Sequence, residues 1–428
     1  MVALDDGADE APDTTGDEAP DAIPLLHPAE GVPPVSVTVD EIAAAAERLA
    51  AGTGPFAVDA ERASGFRYSN RAYLIQIRRT GAGTVLIDPV NHGSSPVDVL
   101  EPVAHVLAED EWILHAADQD LPCLAEVGLR PPSLYDTELA GRLAGLERVN
   151  LAAMVQRLLG LGLAKGHGAA DWSKRPLPPD WLNYAALDVE VLIALRESIA
   201  GVLAEQNKTD WAAEEFEYLR CANTSAAQVT RRDRWRRTSG IHKVRTRQGL
   251  AAVREMWTVR DQIARRRDIA PGRILPDSAI VAAALADPKT VEELTKLPIF
   301  GGNKQRRSAH VWLAALEAAR KNPEPPDTGE PQNGPPPAVR WSKRKPEAAA
   351  RLEAARAALA ELSARVGVPT ENLVSPESVR RLCWDWQDTG DAAGAVEAFL
   401  RDAGARSWQR HLVVPVLAQA LTTSREQT

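Results

Sequence analysis

The chain has 428 residues, 44% of them hydrophobic, enough for two or three domains with cores of their own. Its net charge of −9 sits in the first thirty residues, which carry nine Asp or Glu and no Lys or Arg, so the rest is balanced and excludes an extreme polyion. Cys123, Cys221 and Cys383 lie far apart, and there is no run of eighteen apolar residues or basic-then-apolar start. A disulfide framework, a membrane span and a secretory signal are therefore not expected, and the chain reads as cytoplasmic.

Residues 1–35, rich in Asp, Glu, Pro, Ala and Gly, are expected to form a disordered acidic tail. Over 36–205 the strand-like runs FAVDA, YLIQI, TVLI and WILH alternate with helical stretches at 97–107, 119–126 and 179–200, the pattern of an α/β domain. Residues 206–322 read as helices punctuated by Pro271, Pro276 and Pro298. Eight prolines among the twenty-four residues of 323–346 predict an extended, semi-rigid linker, and a further helical domain is expected over 347–428. The two helical domains read as copies. IAPGRILPDSAI (269–280) and GVPTENLVSPESV (367–379) share a Pro and an apolar pair, with an offset of 99 from Ile274 to Leu373.

Three segments carry carboxylates in suggestive places. In FAVDAE, Asp59 and Glu61 are two residues apart and share one strand face. Such a pair repels, and burial raises its pKa unless a cation neutralises it, so a metal is the economical solution and a solvated strand face the alternative. In WILHAADQDLPCL, Asp118 and Asp120 stand where a strand turns into a helix, and Asp118 reads as a cap. In DWSKRPLPPDWLNYAALDVE, Pro178 and Pro179 open a helix that sets Tyr184 and Asp188 one turn apart on one face. His115 reads as a packed core histidine, and Gln76 as a packing residue near the site.

Taken together, VDAE, LHAADQDL and YAALD resemble the three motifs of the tyrosine-bearing branch of the DEDD exonucleases, and the chain is similar to the ribonuclease D family, which also shares LIQI and DWSKRPL. Asn183 stands where the histidine-bearing branch would place its histidine. The resemblance covers 36–205 and implies a ribonuclease H-like exonuclease domain, a mixed sheet flanked by helices, followed by two all-α domains. It implies Asp59, Glu61, Asp120, Tyr184 and Asp188 as the catalytic set, with Asp59 bridging two metal ions, Glu61 and Asp188 completing the first ion's shell, Asp120 supporting the second, and Tyr184 orienting the attacking water. Whether Tyr184 also takes the proton stays open. All-oxygen ligands favour Mg²⁺ or Mn²⁺ over Zn²⁺.

Nucleic-acid contacts are expected from residues of two kinds. Phe66, Arg67 and Tyr68 offer a stacking surface and a phosphate contact, with a surface loop as the alternative. Lys165, Trp172 and Arg175 match residues common in ribonuclease D-like sequences, as phosphate contacts or as motif support. From 228 to 273 fourteen Lys or Arg face four acids, a footprint for a polyanion. The segment 240–320 resembles an HRDC domain, a helical nucleic-acid-binding module, with Lys304 and Arg306 beside a GGNK turn. The last domain has nine bases against ten acids over 345–423 and is expected to hold the catalytic domain or shape the ring rather than grip RNA. The implied function is a divalent-metal-dependent 3′–5′ exoribonuclease that releases nucleoside 5′-monophosphates, with tRNA precursors or other structured RNA as partner. A DNA-directed exonuclease and a non-catalytic RNA-binding scaffold are the alternatives.

Overall fold

The computed structural model describes residues 22–90, 95–163, 166–224, 233–322, 324–327, 334–387 and 390–423. Eight strands are present in it: β1 (Ile23–Leu25), β2 (Val35–Ser36), β3 (Thr53–Arg62), β4 (Ala72–Thr80), β5 (Gly83–Ile87), β6 (Trp112–Leu114), β7 (Leu134–Asp136) and β8 (Leu161–Leu163). Six build a mixed sheet in the order β2-β5-β4-β3-β6-β7. The pairs β3–β4 and β4–β5 are antiparallel, and β2–β5, β3–β6 and β6–β7 are parallel. This is the expected mixed sheet flanked by helices.

Alternation along the central strand β3 sorts its side chains between two faces. Phe56, Val58 and Ala60 join Ile42, Leu49, Leu107 and Leu114 in a core under the helices Val39–Ala50 and Glu101–Leu107. Ala57 faces the other way, into a core with Val189, Leu195 and Ile199 from the helices Pro179–Glu190 and Leu192–Glu205. Asp59 and Glu61 share the Ala57 face, so the strand directs both carboxylates toward the helix Pro179–Glu190.

Three expectations about organisation need correction. Within the predicted tail, residues 22–35 are built into the domain: β1 pairs in parallel with β8, and Asn183 Nδ2 donates to the Leu26 carbonyl at 2.9 Å. Acidic composition hid the short apolar run Ile23-Pro24-Leu25, while 1–21 lie outside the described residues. The helix Thr209–Thr224, placed by sequence in the first helical domain, packs instead on β7 and the helix Thr137–Leu143 of the catalytic domain. The proline-rich stretch is not all extended: Ala338–Arg340 forms a 3-10 turn and Trp341–Arg344 a helix, and Trp341 is fully buried with its indole N–H donating to the Pro336 carbonyl at 2.6 Å. Pro346, counted as linker, is the first residue of a long helix.

The repeat proposed from the turn residues extends over whole elements. The helices Arg247–Arg267 and Pro346–Val366 are both 21 residues long and both end on a left-handed residue, Asp268 (φ 46°) and Gly367 (φ 60°). One-turn helices Pro271–Ile274 and Thr370–Leu373 follow, then Asp277–Ala286 and Pro376–Asp385, each displaced by the same 99 positions. The two copies use their cores differently. Trp235, Met256, Ile280, Phe300 and Trp312 belong to a core to which the catalytic domain adds little more than Tyr68. In the second copy, Trp341, Leu359, Leu373, Leu400 and Leu417 merge into one core with Ala57, Ile113 and Leu195 of the catalytic domain, bridged by Phe216.

Candidate active site

Four carboxylates and a phenol reach one cleft of about 400 Å³, lined among others by Asp59, Glu61, Asp120, Tyr184 and Asp188. Asp59 and Glu61 hang from β3, opposite Gln76 and Leu74 of β4. Tyr184 and Asp188 stand one turn apart on the helix Pro179–Glu190, which buries Ala185, Ala186 and Val189 against the sheet and so has little freedom to rotate. One ligand atom from each of Asp59, Glu61 and Asp188 lies within 4.8 Å of the others. Asp120 comes from a different element: it follows the 3-10 turn Ala117–Gln119 and opens the helix Leu121–Glu126.

The turn that carries Asp120 is held by a residue the sequence reading missed. Ala116, in the left-handed conformation at φ 59°, and Ala117 donate their N–H groups to the buried carboxylate of Asp136 at 3.2 and 2.9 Å. The same carboxylate caps the helix Thr137–Leu143 by accepting from Glu138 and Leu139. The adjoining aspartate in the TELAGRL helix start was the available signal, since a strand-ending Asp before a helix is a cap. Asp118, expected as a cap, is exposed within the 3-10 turn, and the capping position falls to Asp120, whose side chain makes no capping bond. His115 behaves as expected, its Nδ1 2.9 Å from Thr137 Oγ1 and its pKa lowered to about 4 by burial, so the ring is neutral.

Crowding and burial act together on the acids. Asp59, Glu61, Asp120 and Asp188 all have raised pKa values, each chiefly through desolvation. Glu61 is raised further by Asp59, Asp188 and Asp120, and the charge of Arg62 opposes the rise in Asp59, Glu61 and Asp120. A set of carboxylates held this close is costly without a cation. Oxygen donors alone, at ligating separation, fit a hard divalent ion. Burial and the neighbouring acids also push the Tyr184 phenol up, and its hydroxyl bonds to Asp188.

Tyr184 is wedged from the other side. A Cβ added at Gly166 would stand 1.6 Å from its ring, so the backbone of 166–168 lies directly on the phenol. His167 meets Tyr184 edge-on at 6.0 Å and approaches Trp181, which packs on the fully buried Trp172 at 5.2 Å.

The expected nucleic-acid residues take other partners. Phe66 lies under the guanidinium of Arg273 at 4.1 Å, and its carbonyl accepts from Ala270 N at 3.0 Å. Tyr68 donates to Asp261 at 3.0 Å and is approached by Arg265, while Ser69 N donates to Asp268 at 2.9 Å. These contacts dock the loop after β3 onto the first helical domain, so Phe66 and Tyr68 form an interdomain seam rather than a free stacking surface. Aromatic and basic residues suit both uses, which is why composition misled. Arg67 bonds Ser173 Oγ at 2.7 Å, and Arg175 pairs with Asp88 at 2.6 Å while donating to the carbonyls of Tyr73 and Trp172, all within the catalytic domain. Arg175 therefore supports the third motif's loop. Lys304 Nζ donates to the Arg273 carbonyl at 2.6 Å, Arg306 is exposed, and Lys165 lies outside the described residues.

A mixed sheet that gathers three carboxylates at ligating separation, a fourth beside them and a tyrosine on the facing helix is the arrangement a metal-dependent 3′–5′ exonuclease needs. Family models agree: one described as 3′-5′ exonuclease matches residues 34–204, one for the HRDC domain matches 249–316, and one for a 3′ to 5′ exonuclease C-terminal domain matches 334–421. The ribonuclease D of Jannaschia sp. (strain CCS1) is 32% identical over 297 residues, covering 67% of this chain and 74% of that one. A protein from Bifidobacterium adolescentis of known crystal structure is 36% identical with a TM-score of 0.83, over 94% of this chain and all of that one. Escherichia coli RNase D superposes with a TM-score of 0.64 at 23% identity, over 86% of this chain and 98% of that one, and so shares the fold. The chain belongs to the ribonuclease D family and is a 3′–5′ exoribonuclease. No helix among the described residues is long and apolar enough to cross a membrane.

Proposed function

We propose that the enzyme removes nucleotides one at a time from the 3′ end of structured RNA, tRNA precursors among them, as nucleoside 5′-monophosphates, using two Mg²⁺ or Mn²⁺ ions. The observation that carries this reading is the mutual approach of Asp59, Glu61 and Asp188, with Asp120 across the same cleft. Asp59, Glu61 and Asp188 would hold one ion, and Asp59 with Asp120 the other. When bound, the pair supplies an activated water and stabilises the leaving oxygen. Escherichia coli RNase D is described as an exoribonuclease involved in structured RNA processing, which supports the choice of substrate.

The protein's own groups divide the remaining work. Tyr184, whose phenol is pushed up by burial and by the acids around it, acts as a hydrogen-bond donor that orients the nucleophile. The ring cannot drift, because the backbone at Gly166 and the Asp188 bond fix it from two sides. The Arg-rich helix Arg247–Arg267, docked through Asp261, Arg265 and Asp268 onto the loop after β3, brings a phosphate-binding surface to the catalytic domain. The test is product analysis on end-labelled, tRNA-like RNA with a single-stranded 3′ tail, with Mg²⁺ and with Mn²⁺. Stepwise release of 5′-monophosphates is expected; an untouched tail from a folded protein refutes the reading, and equal rates on matched DNA tails move it to DNA.

A further inference from the structure

Arg62 is the one Lys or Arg that lines the cleft among the described residues. It follows Glu61 directly, so in a regular strand it would face away from both Asp59 and Glu61. The register of β3 on β4 is irregular at this point: Glu61 pairs with Leu74 but Arg62 with Ala72, leaving Tyr73 unopposed. Arg62 Nη2 nonetheless lies 3.4 Å from Asp120 Oδ1 and 3.4 Å from Gln119 Oε1. The pair is not a surface one, since Arg62 is 21% exposed and Asp120 7%.

This contact separates Asp120 from the other three acids. Asp59, Glu61 and Asp188 come together as a ligand group, and Asp120, though in the same cleft, is outside it and faces the guanidinium. A divalent ion shared by Asp59 and Asp120 and the guanidinium of Arg62 would compete for one carboxylate. Both are cations, so binding of the ion disfavours the ion pair, and the guanidinium then needs another anion. A fork of N–H donors on the wall of a cleft that receives a phosphodiester matches phosphate oxygens.

We propose that Arg62 is a positioning residue that holds Asp120 until the second divalent ion binds and then turns to the phosphate of the RNA end. The inference rests on the two-ion reading above. It makes ion and phosphate binding mutually reinforcing: the second ion is weak alone and tightens once a phosphate accepts the displaced arginine.

The experiment is calorimetric titration of the metal-free, full-length protein with Mn²⁺, alone and with saturating AMP, a product-like probe that is not cleaved. The wild type is expected to show one tight and one weak Mn²⁺ site, with AMP tightening the weak site by about tenfold. In Arg62→Gln the weak site should tighten without AMP by roughly fivefold, and the gain from AMP should shrink. Arg62→Lys keeps the charge without the fork, so its Mn²⁺ affinity should stay near the wild type while its gain from AMP falls. A weak site unchanged or weakened in Arg62→Gln, with two sites still present in the wild type, overturns the role of Arg62 alone. If Arg62→Gln does not fold, an Arg62→Lys protein with the full AMP gain does the same. A wild type that binds a single Mn²⁺ overturns the two-ion reading and this inference with it.

Discussion

Gly166 and Tyr184 touch so closely that a methyl group on the first would stand 1.6 Å from Cε2 of the second. Tyr184 cannot give way cheaply: it sits on a helix whose buried face is packed on the sheet, and its hydroxyl is tied to Asp188. Gly166→Ala is therefore expected to displace the phenol or the loop above it. Turnover should fall by about 10²-fold, the order expected for misplacing a group by an ångström, while RNA affinity changes little. Tyr184→Phe removes the hydroxyl that orients the nucleophile, so it should cost at least as much as Gly166→Ala. Rate measurements under single-turnover conditions give both, and a Tyr184→Phe protein as active as the wild type would show that Tyr184 has no part in positioning.

The crowding of Asp59, Glu61 and Asp188 makes opposite demands on stability and activity. In metal-free protein, Asp59→Asn or Asp188→Asn removes a buried charge from a repelling set, so the thermal midpoint should rise or hold. Turnover should be abolished and RNA binding retained. Mg²⁺ or Mn²⁺ should raise the midpoint of the wild type, by the equivalent of about 2.7 kcal/mol at a hundredfold excess over the dissociation constant, and raise that of the variants far less. Melting curves with and without EDTA give all these quantities. A wild-type curve indifferent to metal would refute the assignment of these three as ligands.

A pH dependence follows from the same groups. Asp59, Glu61, Asp120 and Asp188 have folded pKa values above their unfolded ones, and Asp136 is raised to about 6 by burial. For a raised acid the folded state binds the extra proton. Its contribution is complete below the unfolded value near ~4 and is lost as pH climbs through the folded one. His115 has the opposite sense: lowered to about 4, it contributes above ~6.5 and is lost as pH falls. In EDTA the thermal midpoint should accordingly be highest in mildly acidic buffer and decline toward pH 8. Saturating Mg²⁺ should flatten that decline, because it replaces the protons. An EDTA profile that climbs steadily to pH 8 would contradict the burial of these acids.

How much of this was legible depended on whether chemistry or packing fixed the residue. The acidic positions 59, 61, 120 and 188 stood out because a carboxylate pair on one strand face and the flanking motifs leave few alternatives, and the structure brings all four to one cleft. The 99-residue repeat was readable only at its turns, where the apolar pairs Ile274-Leu275 and Leu373-Val374 are constrained, since the long helices, one Arg-rich and the other Ala-rich, share no distinctive pattern. The seam role of Phe66 and Tyr68 was not legible, because an arginine from another domain and a nucleobase present similar faces to an aromatic ring. Arg62 was silent: strict alternation points it away from Asp59 and Glu61, and its approach to Asp120 depends on where the turn Ala117–Gln119 sets that aspartate. Local sequence does not encode that pairing.

The balanced charge of the last domain suggested a structural role, and its core shows how such a role is exerted. Glu215, on the helix Thr209–Thr224, accepts from Arg406 Nε at 2.6 Å and Nη2 at 2.7 Å and from the Trp408 indole at 2.9 Å. Both partners belong to the last domain, and Glu215 is buried. Nearby, Lys208 Nζ donates to the Leu143 carbonyl of the catalytic domain and to the Gly367 carbonyl of the last domain. Glu215→Ala leaves a guanidinium partly buried without its carboxylate, which costs about 3–5 kcal/mol when one partner of a buried pair is removed. Because this last domain shares one core with Ala57 and Ile113, beside the acidic strand, the loss should reach the catalytic site. Equilibrium unfolding of Glu215→Ala should show the catalytic domain and the last domain lowered together, with the first helical domain unaffected. Asp268→Asn, at the seam between the first helical domain and the loop after β3, should leave both midpoints near wild type. Separate, unshifted transitions for the catalytic domain in Glu215→Ala would mean that the common core does not act as one cooperative unit.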